Sequence, residues 1–317
     1  MYLTPRKLRR GAKIALVAPA SPFKTDEVTE GMDIMREMGL VPVLGPCVRN
    51  LRSDNIHAGS LADRAAELNW AFSDPSINGV LAVCGGMGSA AILPYLDYRM
   101  IRASRKALLG MSDITALNAG ILARAGLISI NGQSPSIRLD KGEAIRRADS
   151  DSFRLTLRLM MSDEPWGTQP FDFSEYFPRT VCPGKATGNV IGGNADTFVH
   201  LLGTPYMPEL TGTILFIEDV HKSGEILGRE FLHMRLSGML NMVNGIVIGE
   251  FAEVPKRTEE REPSIENSIE EYFRNGPPCT YGYPFSHGPL TGPVPIGAQC
   301  EIDADVGHVS FDFAMAR

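Results

Sequence analysis

Short apolar runs alternating with longer amphipathic segments restrict the fold of this chain more than any other feature. Lys13 to Ala18 is an apolar run ended by Pro19, and Asp26 to Met38 then carries Val28, Met32, Met35 and Met38 at helical spacing. Val41 to Leu44 reads as a second strand, and Ala62 to Phe72 as a helix with Leu68 and Phe72 on one face. Gly79 to Cys84 is a third strand and Ala107 to Gly110 a fourth, again followed by a helical segment. Strands that are apolar along their whole length and separated by helices predict a parallel sheet covered on both faces.

The chain has 317 residues, more than one compact core usually holds, so two domains are expected. The character changes over 164–184, where Pro165, Gly167, Pro170, Pro178, Pro183 and Gly184 punctuate a stretch rich in aromatics. That density of Pro and Gly predicts a linker or covering loop between a domain at 1–163 and a second at 185–317. In the second unit Gly188 to Asn194 reads as a strand and turn opening onto a helix from Ala195 to Leu202. Thr213 to Glu218 and Gly245 to Gly249 are strands flanking a helix from Ile226 to Leu240. Ile265 to Phe273 is a further helix, and Gln299 to Ile302 and His308 to Phe313 are closing strands. The predicted class is α/β, with the second domain richer in β-structure.

A hydrophobic content of 44% with 21% charged residues is that of an ordinary globular protein. The formal charge of −6, with no block of like charges, disfavours nucleic acid or an anionic membrane as partner. The short run Arg6-Lys7-Leu8-Arg9-Arg10 reads as a solvated N-terminal arm. Five scattered cysteines without a CxxC pair fit a reducing compartment. The apolar run Ile14 to Ala20 is short and holds Pro19, so it reads as a buried strand and not a signal peptide. No run approaches the length of a membrane span. A cytoplasmic protein is expected.

Two loops after strands carry the candidate chemistry. Ser112 lies in Leu109-Gly110-Met111-Ser112-Asp113-Ile114, where a strand ends and a helix begins. A sharp turn there would present its hydroxyl at the carboxyl end of the sheet, with the Asp113 N–H free to hold an oxyanion. The G-x-S-x-G pattern is not met, because Ile114 replaces the second glycine, and Ser112 could equally be a helix cap. Gly85-Gly86-Met87-Gly88 would let a backbone N–H approach a substrate oxygen. Its match to G-x-G-x-x-A also permits a dinucleotide reading, a weak one, since it is not in the first βα unit. Glu218 closes an apolar strand and His287 sits in a Pro/Gly loop, each open to a bland reading as turn cap or surface residue. The six histidines do not pair at ligand spacing, so neither metal nor cofactor is expected.

Taken together, several segments resemble the LD-carboxypeptidase family of serine peptidases, which includes the microcin-immunity peptidases. They are Leu8 to Ser21, Cys84 to Gly88 with Leu93 to Asp97, Gly110 to Leu117, Gly192 to Asn194 with Leu202 to Pro205, Ile214 to Asp219, Gly245 to Gly249, and His287-Gly288 with Pro295 to Gly297. They run in family order over nearly the whole chain. The resemblance implies a flavodoxin-like N-terminal domain and a β-rich C-terminal one. It implies a triad in which His287 takes the Ser112 proton and Glu218 orients the imidazole, with the Gly86 and Asp113 N–H groups as oxyanion hole.

Two positions depart from the family pattern. Cys84 stands where Arg usually precedes the Gly pair, and Asn131-Gly132-Gln133 stands where His-Gly-Pro is common. Cys84 and Asn131 are therefore expected to border the cleft as substrate contacts, with Trp166 available to stack on a ligand ring. Cys84 has no basic neighbour to lower its pKa and is not expected to be a catalytic thiol. Arg102, Arg138, Lys141 or a backbone group would take over the missing Arg's pairing with a substrate carboxylate. The implied reaction is release of C-terminal D-alanine from a peptidoglycan tetrapeptide, by an enzyme that works as a homodimer. Cleavage of a peptidyl-nucleotide conjugate and non-catalytic binding of a muropeptide are the alternatives.

Overall fold

A computed structural model describes residues 2–51, 54, 56–167, 178–255, 263–288 and 291–317. Among the described residues there are thirteen strands: β1 (Lys13–Val17), β2 (Val41–Leu44), β3 (Gly79–Ala82), β4 (Ala107–Leu109), β5 (Ser129–Asn131), β6 (Arg179–Cys182), β7 (Lys185–Asn194), β8 (Thr213–Val220), β9 (Gly245–Ala252), β10 (Cys279–Tyr281), β11 (Val294–Ile296), β12 (Gln299–Asp303) and β13 (His308–Asp312). They form two sheets, ordered β11-β5-β4-β3-β1-β2 and β13-β12-β7-β8-β9-β10-β6.

The first sheet is parallel from β2 to β5, in the flavodoxin-like order 2-1-3-4-5. Ile14, Ala15, Leu16 and Val17 of β1 are wholly buried, as a strand covered on both faces requires. The helices Thr25–Glu37 and Glu143–Met160 pack together over it, as do Leu61–Ser73, Tyr98–Ser104 and Thr115–Ala125. The order reverses between β1 and β3, so the crevice for a ligand opens at the carboxyl ends of those strands. The loops after β1, β3 and β4 meet there.

The second sheet has a parallel centre, β7-β8-β9-β10, flanked by antiparallel β12, β13 and β6. Its core gathers Phe216 against Tyr283, Phe285 and Phe311, with ring centroids about 6 Å apart. Each such buried ring stabilises the fold by about 1.5–3 kcal/mol. Phe231 and Phe273 join the helices Gly224–Leu236 and Ile265–Phe273 edge to face at 4.8 Å.

Several arrangements differ from the sequence expectation. The segment 164–184 is not featureless, because Arg179–Cys182 forms the edge strand β6 and the Trp166 N–H bonds the Phe313 carbonyl at 2.8 Å. Strand β11, from the second half of the chain, pairs antiparallel with β5 and becomes the edge of the first sheet. The helix predicted from Ile226 to Leu240 starts at Gly224 and stops at Leu236, and left-handed Gly238 separates it from Met239–Met242. Glu143–Met160 is a helix not foreseen from the sequence.

Candidate active site

Ser112 leaves β4 on a turn with φ +61°. A side chain in that left-handed region costs about 1–3 kcal/mol, so packing has to impose it. A Cβ on Gly110 would stand 2.7 Å from Ile114 Cγ2, and one on Gly85 would stand 2.7 Å from Ser112 Cβ. Gly110 therefore makes the room that lets isoleucine occupy position 114. Neither the turn Ser112–Ile114 nor the helix Thr115–Ala125 takes a side-chain cap, which removes the capping explanation for the serine.

The Gly85-Gly86 turn is held against the loop after β1. The Ser21 N–H donates to the Gly85 carbonyl at 3.2 Å, and Ser21 Oγ accepts from the Met87 N–H at 3.0 Å. Gly86 has φ +102°, and a Cβ there would lie 2.3 Å from Ser21 Oγ, so any other residue would be strained and would displace the Ser21 hydroxyl. The chain then enters the 3₁₀ turn Ala90–Tyr95, and the G-x-G-x-x-A pattern thus lacks the helix N-terminus that dinucleotide binding uses. Buried Arg64 donates to the carbonyls of Pro19 at 2.6 Å and Gly88 at 2.8 Å, tying both loops together. The Asp113 carboxylate accepts from the Ser89 N–H at 2.8 Å, and burial still pushes its pKa above the ordinary carboxylate value.

Glu218 is buried in β8, opposite Asn194 of β7 and beside a register shift towards β9. Its Oε2 lies 2.6 Å from His287 Nδ1. The loop carrying His287 crosses β9 at Gly249, where a Cβ would stand 1.7 Å from the Phe285 carbonyl oxygen. Ser286 Oγ accepts from the Gly288 N–H at 2.8 Å, closing the turn around the histidine. Burial alone would lower the imidazole pKa, but Glu218, by charge and hydrogen bond, and more weakly Asp219, raise it above its ordinary value.

The two sheets meet at this point. The Asn194 N–H donates to Thr115 Oγ1 at 2.9 Å, across a contact that Gly193 keeps free of side chain. Arg138 donates to the carbonyls of His287 at 2.9 Å and Gly288 at 3.2 Å while gripping Asp149 with Nε and Nη2 at 2.9 and 2.6 Å. Ser112 and His287, from opposite domains, line one cavity of about 180 Å³ together with Cys84, Gln133 and Arg138. Cys84, Ser136 and Arg138 continue into a neighbouring cavity of about 440 Å³ that Lys24, Glu27 and Lys141 also line.

Of the other residues singled out from sequence, Cys84 borders both cavities with Sγ 3.4 Å from the Ser21 carbonyl oxygen. Its thiol is pushed up to about 12, by burial first and then by Glu27 and Asp113. Asn131 is buried within β5, and Gln133 lines the cavity in its place. Trp166 is buried edge-on against Phe313 and lines neither cavity. The aromatics Phe171, Phe173, Tyr176 and Phe177 lie outside the described residues. Arg102 is spent on the Ala125 carbonyl at 2.7 Å and Lys141 pairs with Glu253 at 3.2 Å.

Arg138 and Asp149 were only partly visible in sequence. Asp149, Phe153 and Leu157 stand four residues apart on the buried face of one helix, and a carboxylate on such a face signals a buried partner. Among the described residues no group of His, Cys, Asp and Glu could hold a metal ion, and no helix is long and apolar enough to cross a membrane.

Comparison with known proteins agrees with this architecture. Residues 14–132 match the model of the LD-carboxypeptidase N-terminal domain and residues 187–302 that of the LD-carboxypeptidase C-terminal domain. The chain is 30% identical to a probable murein peptide carboxypeptidase of Bacillus subtilis, over 94% of this chain and 91% of that protein. It is also 30% identical to the microcin C7 self-immunity protein of Escherichia coli, over 92% and 90% of the two chains. A structure of the microcin C7 self-immunity protein in complex with aspartyl sulfamoyl adenosine superposes with a TM-score of 0.84 at 26% identity, covering 99% of this chain and 100% of that one. The chain belongs to the LD-carboxypeptidase family and is a serine-type peptide hydrolase.

Proposed function

We propose that this enzyme releases a C-terminal D-amino acid, D-alanine, from a peptidoglycan-derived tetrapeptide in the cytoplasm, using Ser112, His287 and Glu218 as a catalytic triad. The observation that carries the reading is the 2.6 Å contact of Glu218 with His287 Nδ1, on a cavity that His287 shares with Ser112. With Nδ1 held by the carboxylate, Nε2 is the nitrogen left to take the Ser112 proton as Oγ attacks the scissile carbonyl. The oxyanion that forms is held by the N–H groups of Gly86 and Asp113. A side chain at Gly85 would begin 3.2 Å from the Asp113 nitrogen and fill that space, which supports the assignment. The proton then passes from His287 to the departing amine of D-alanine, and water, deprotonated by the same imidazole, cleaves the acyl-enzyme.

The substrate's free carboxylate meets a site without the usual Arg at position 84. Arg138 borders the cavity, but its fork is taken up by Asp149 and the His287 loop. Lys24 and Lys141 line the adjoining cavity but are paired, Lys24 with Asp140 at 2.8 Å and Glu27 at 3.2 Å and Lys141 with Glu253 at 3.2 Å, so either would have to exchange a carboxylate partner for the substrate's. A second reading, cleavage of a peptidyl-nucleotide conjugate, is favoured by the likeness to a structure that holds aspartyl sulfamoyl adenosine.

The deciding experiment follows D-alanine release from a sugar-free tetrapeptide beside hydrolysis of a peptidyl-adenylate analogue, with Ser112→Ala as the blank. D-alanine release above the blank supports the carboxypeptidase reading. Cleavage of the nucleotide conjugate alone would replace it with the second.

A further inference from the structure

The basic run Arg6 to Arg10 is not a loose arm. Its main chain is fixed by bonds from the Lys7 N–H to the Ala316 carbonyl at 2.8 Å and from the Leu8 N–H to the Met160 carbonyl at 2.9 Å. The Leu8 side chain is buried. The run lines a cavity of about 770 Å³, larger than either cavity at Ser112 and within the range of small-molecule sites. This cavity lies at the opposite end of the parallel strands from the active site. Ala12 and Lys106, which line it, immediately precede β1 and β4, whereas Ser21 and Ser112 lie beyond the ends of those strands.

Its charge is one-sided. Seven lining residues are Arg or Lys and none is Asp or Glu, in a chain whose formal charge is −6. Lys7 and Arg317 are neutralised by Asp163, at 2.8 and 2.9 Å. The buried Lys106 ammonium donates to the carbonyls of Ala71, Phe72 and Asp74 at 2.6–2.9 Å, and the Asp74 carboxylate acts on it by charge without forming an ion pair. The side chains of Arg6, Arg9 and Arg10 have neither an ion pair nor a hydrogen bond among the described residues. Cations held in common on a fixed backbone repel one another, and a multivalent anion converts that repulsion into binding. Phe72 and Ile77 give the cavity a buried apolar floor that inorganic phosphate would not use.

We propose that this cavity is a second, non-catalytic binding site for a small organic molecule bearing several phosphate groups. Inorganic triphosphate is the probe, titrated calorimetrically into the full-length protein at low salt. The expected result is binding at roughly 100 μM or tighter, weakened at least about tenfold in Arg6→Gln/Arg9→Gln/Arg10→Gln, with a clear salt dependence. The variant Arg49→Gln/Arg147→Gln/Arg274→Gln removes the same charge from elsewhere and is expected to bind as the parent does. If the triple cavity variant does not fold, the three single variants are titrated, each expected to bind more weakly than the parent. Equal losses in cavity and control variants would reduce the effect to net charge and overturn the proposal. Absence of triphosphate binding, or binding only to vesicles containing phosphatidylglycerol, would overturn it as well.

Discussion

Arg138 donates a hydrogen bond to the main-chain carbonyl of His287, at 2.9 Å, across 149 positions of sequence. The same guanidinium binds Asp149, which is buried, so one domain fixes the backbone on which the other carries its imidazole. Arg138→Lys keeps the charge but loses the fork. It is expected to lower kcat by about 10- to 100-fold with a smaller change in KM, because a small displacement of the base is enough to slow proton transfer. Asp149→Ala leaves Arg138 without its partner and is expected to destabilise the protein by on the order of 3 kcal/mol. Steady-state kinetics and urea unfolding check the two effects, and unchanged kcat in folded Arg138→Lys would show that the clamp is structural only.

Ser112→Ala, His287→Ala and Glu218→Ala are each expected to fold and to lose most activity. Glu218→Ala is expected to lose least, since in the proposed mechanism the carboxylate orients the base and transfers no proton. Combined substitutions are expected to cost far less than the sum of the separate losses, because the three groups act as a unit. Turnover of the single and multiple variants beside their circular dichroism tests this; a folded Ser112→Ala enzyme with near-parental turnover would refute the mechanism.

The raised pKa of His287 fixes the direction of the pH response. In the proposed mechanism the imidazole must be neutral to accept the serine proton, so the acidic limb of kcat/KM is expected above the ordinary imidazole value near 6.5. Glu218→Gln removes the charge that raises it and is expected to move that limb downward. Arg138 acts in the opposite direction, so Arg138→Met is expected to move it upward. For stability the sign is fixed by the same shift: the His287–Glu218 pair contributes fully below the unfolded-state pKa of His287 and its contribution fades as pH rises through the folded value. Limbs that stay in place in both variants would mean that another group controls the profile.

Cys84 is expected to be dispensable for the chemistry. With its thiol pushed up to about 12, almost none is thiolate at neutral pH. Cys84→Ala is expected to retain turnover within about tenfold, or about 1.4 kcal/mol of barrier. Iodoacetamide is expected to modify this cysteine slowly at pH 8, as mass spectrometry of the labelled peptide would show. Rapid labelling with loss of turnover would give the thiol a role it has not been assigned.

The sequence by itself determined the elements with strong local periodicity. β2 (Val41–Leu44) and the helix Ile265–Phe273 have the predicted bounds, and the first sheet's parallel order follows from repeated strand–helix units. It also marked Ser112 as lying just past a strand, where an apolar run stops, and His287 as lying in a Pro/Gly loop, whereas Glu218, expected to close its strand, lies inside β8, which runs on to Val220. Tertiary structure alone decided what depends on distant partners. β5 and β11 are three residues each and carry too short a pattern to announce themselves; β5 is a strand because β4 and β11 pair with it on its two sides, and β11 because β5 supplies its hydrogen bonds. The fate of the Arg6 to Arg10 run was likewise undecided locally, since a basic stretch reads the same whether solvated or anchored along Ala316 and Met160. Trp166 reads from sequence either as available to stack on a ligand ring or as packing its loop, and its packing on Phe313, 147 positions away, decides for the second, because burial of its apolar surface is favourable. Side-chain patterning within a few turns specifies local structure, whereas Arg138 beneath His287 arises only when the two sheets are brought together.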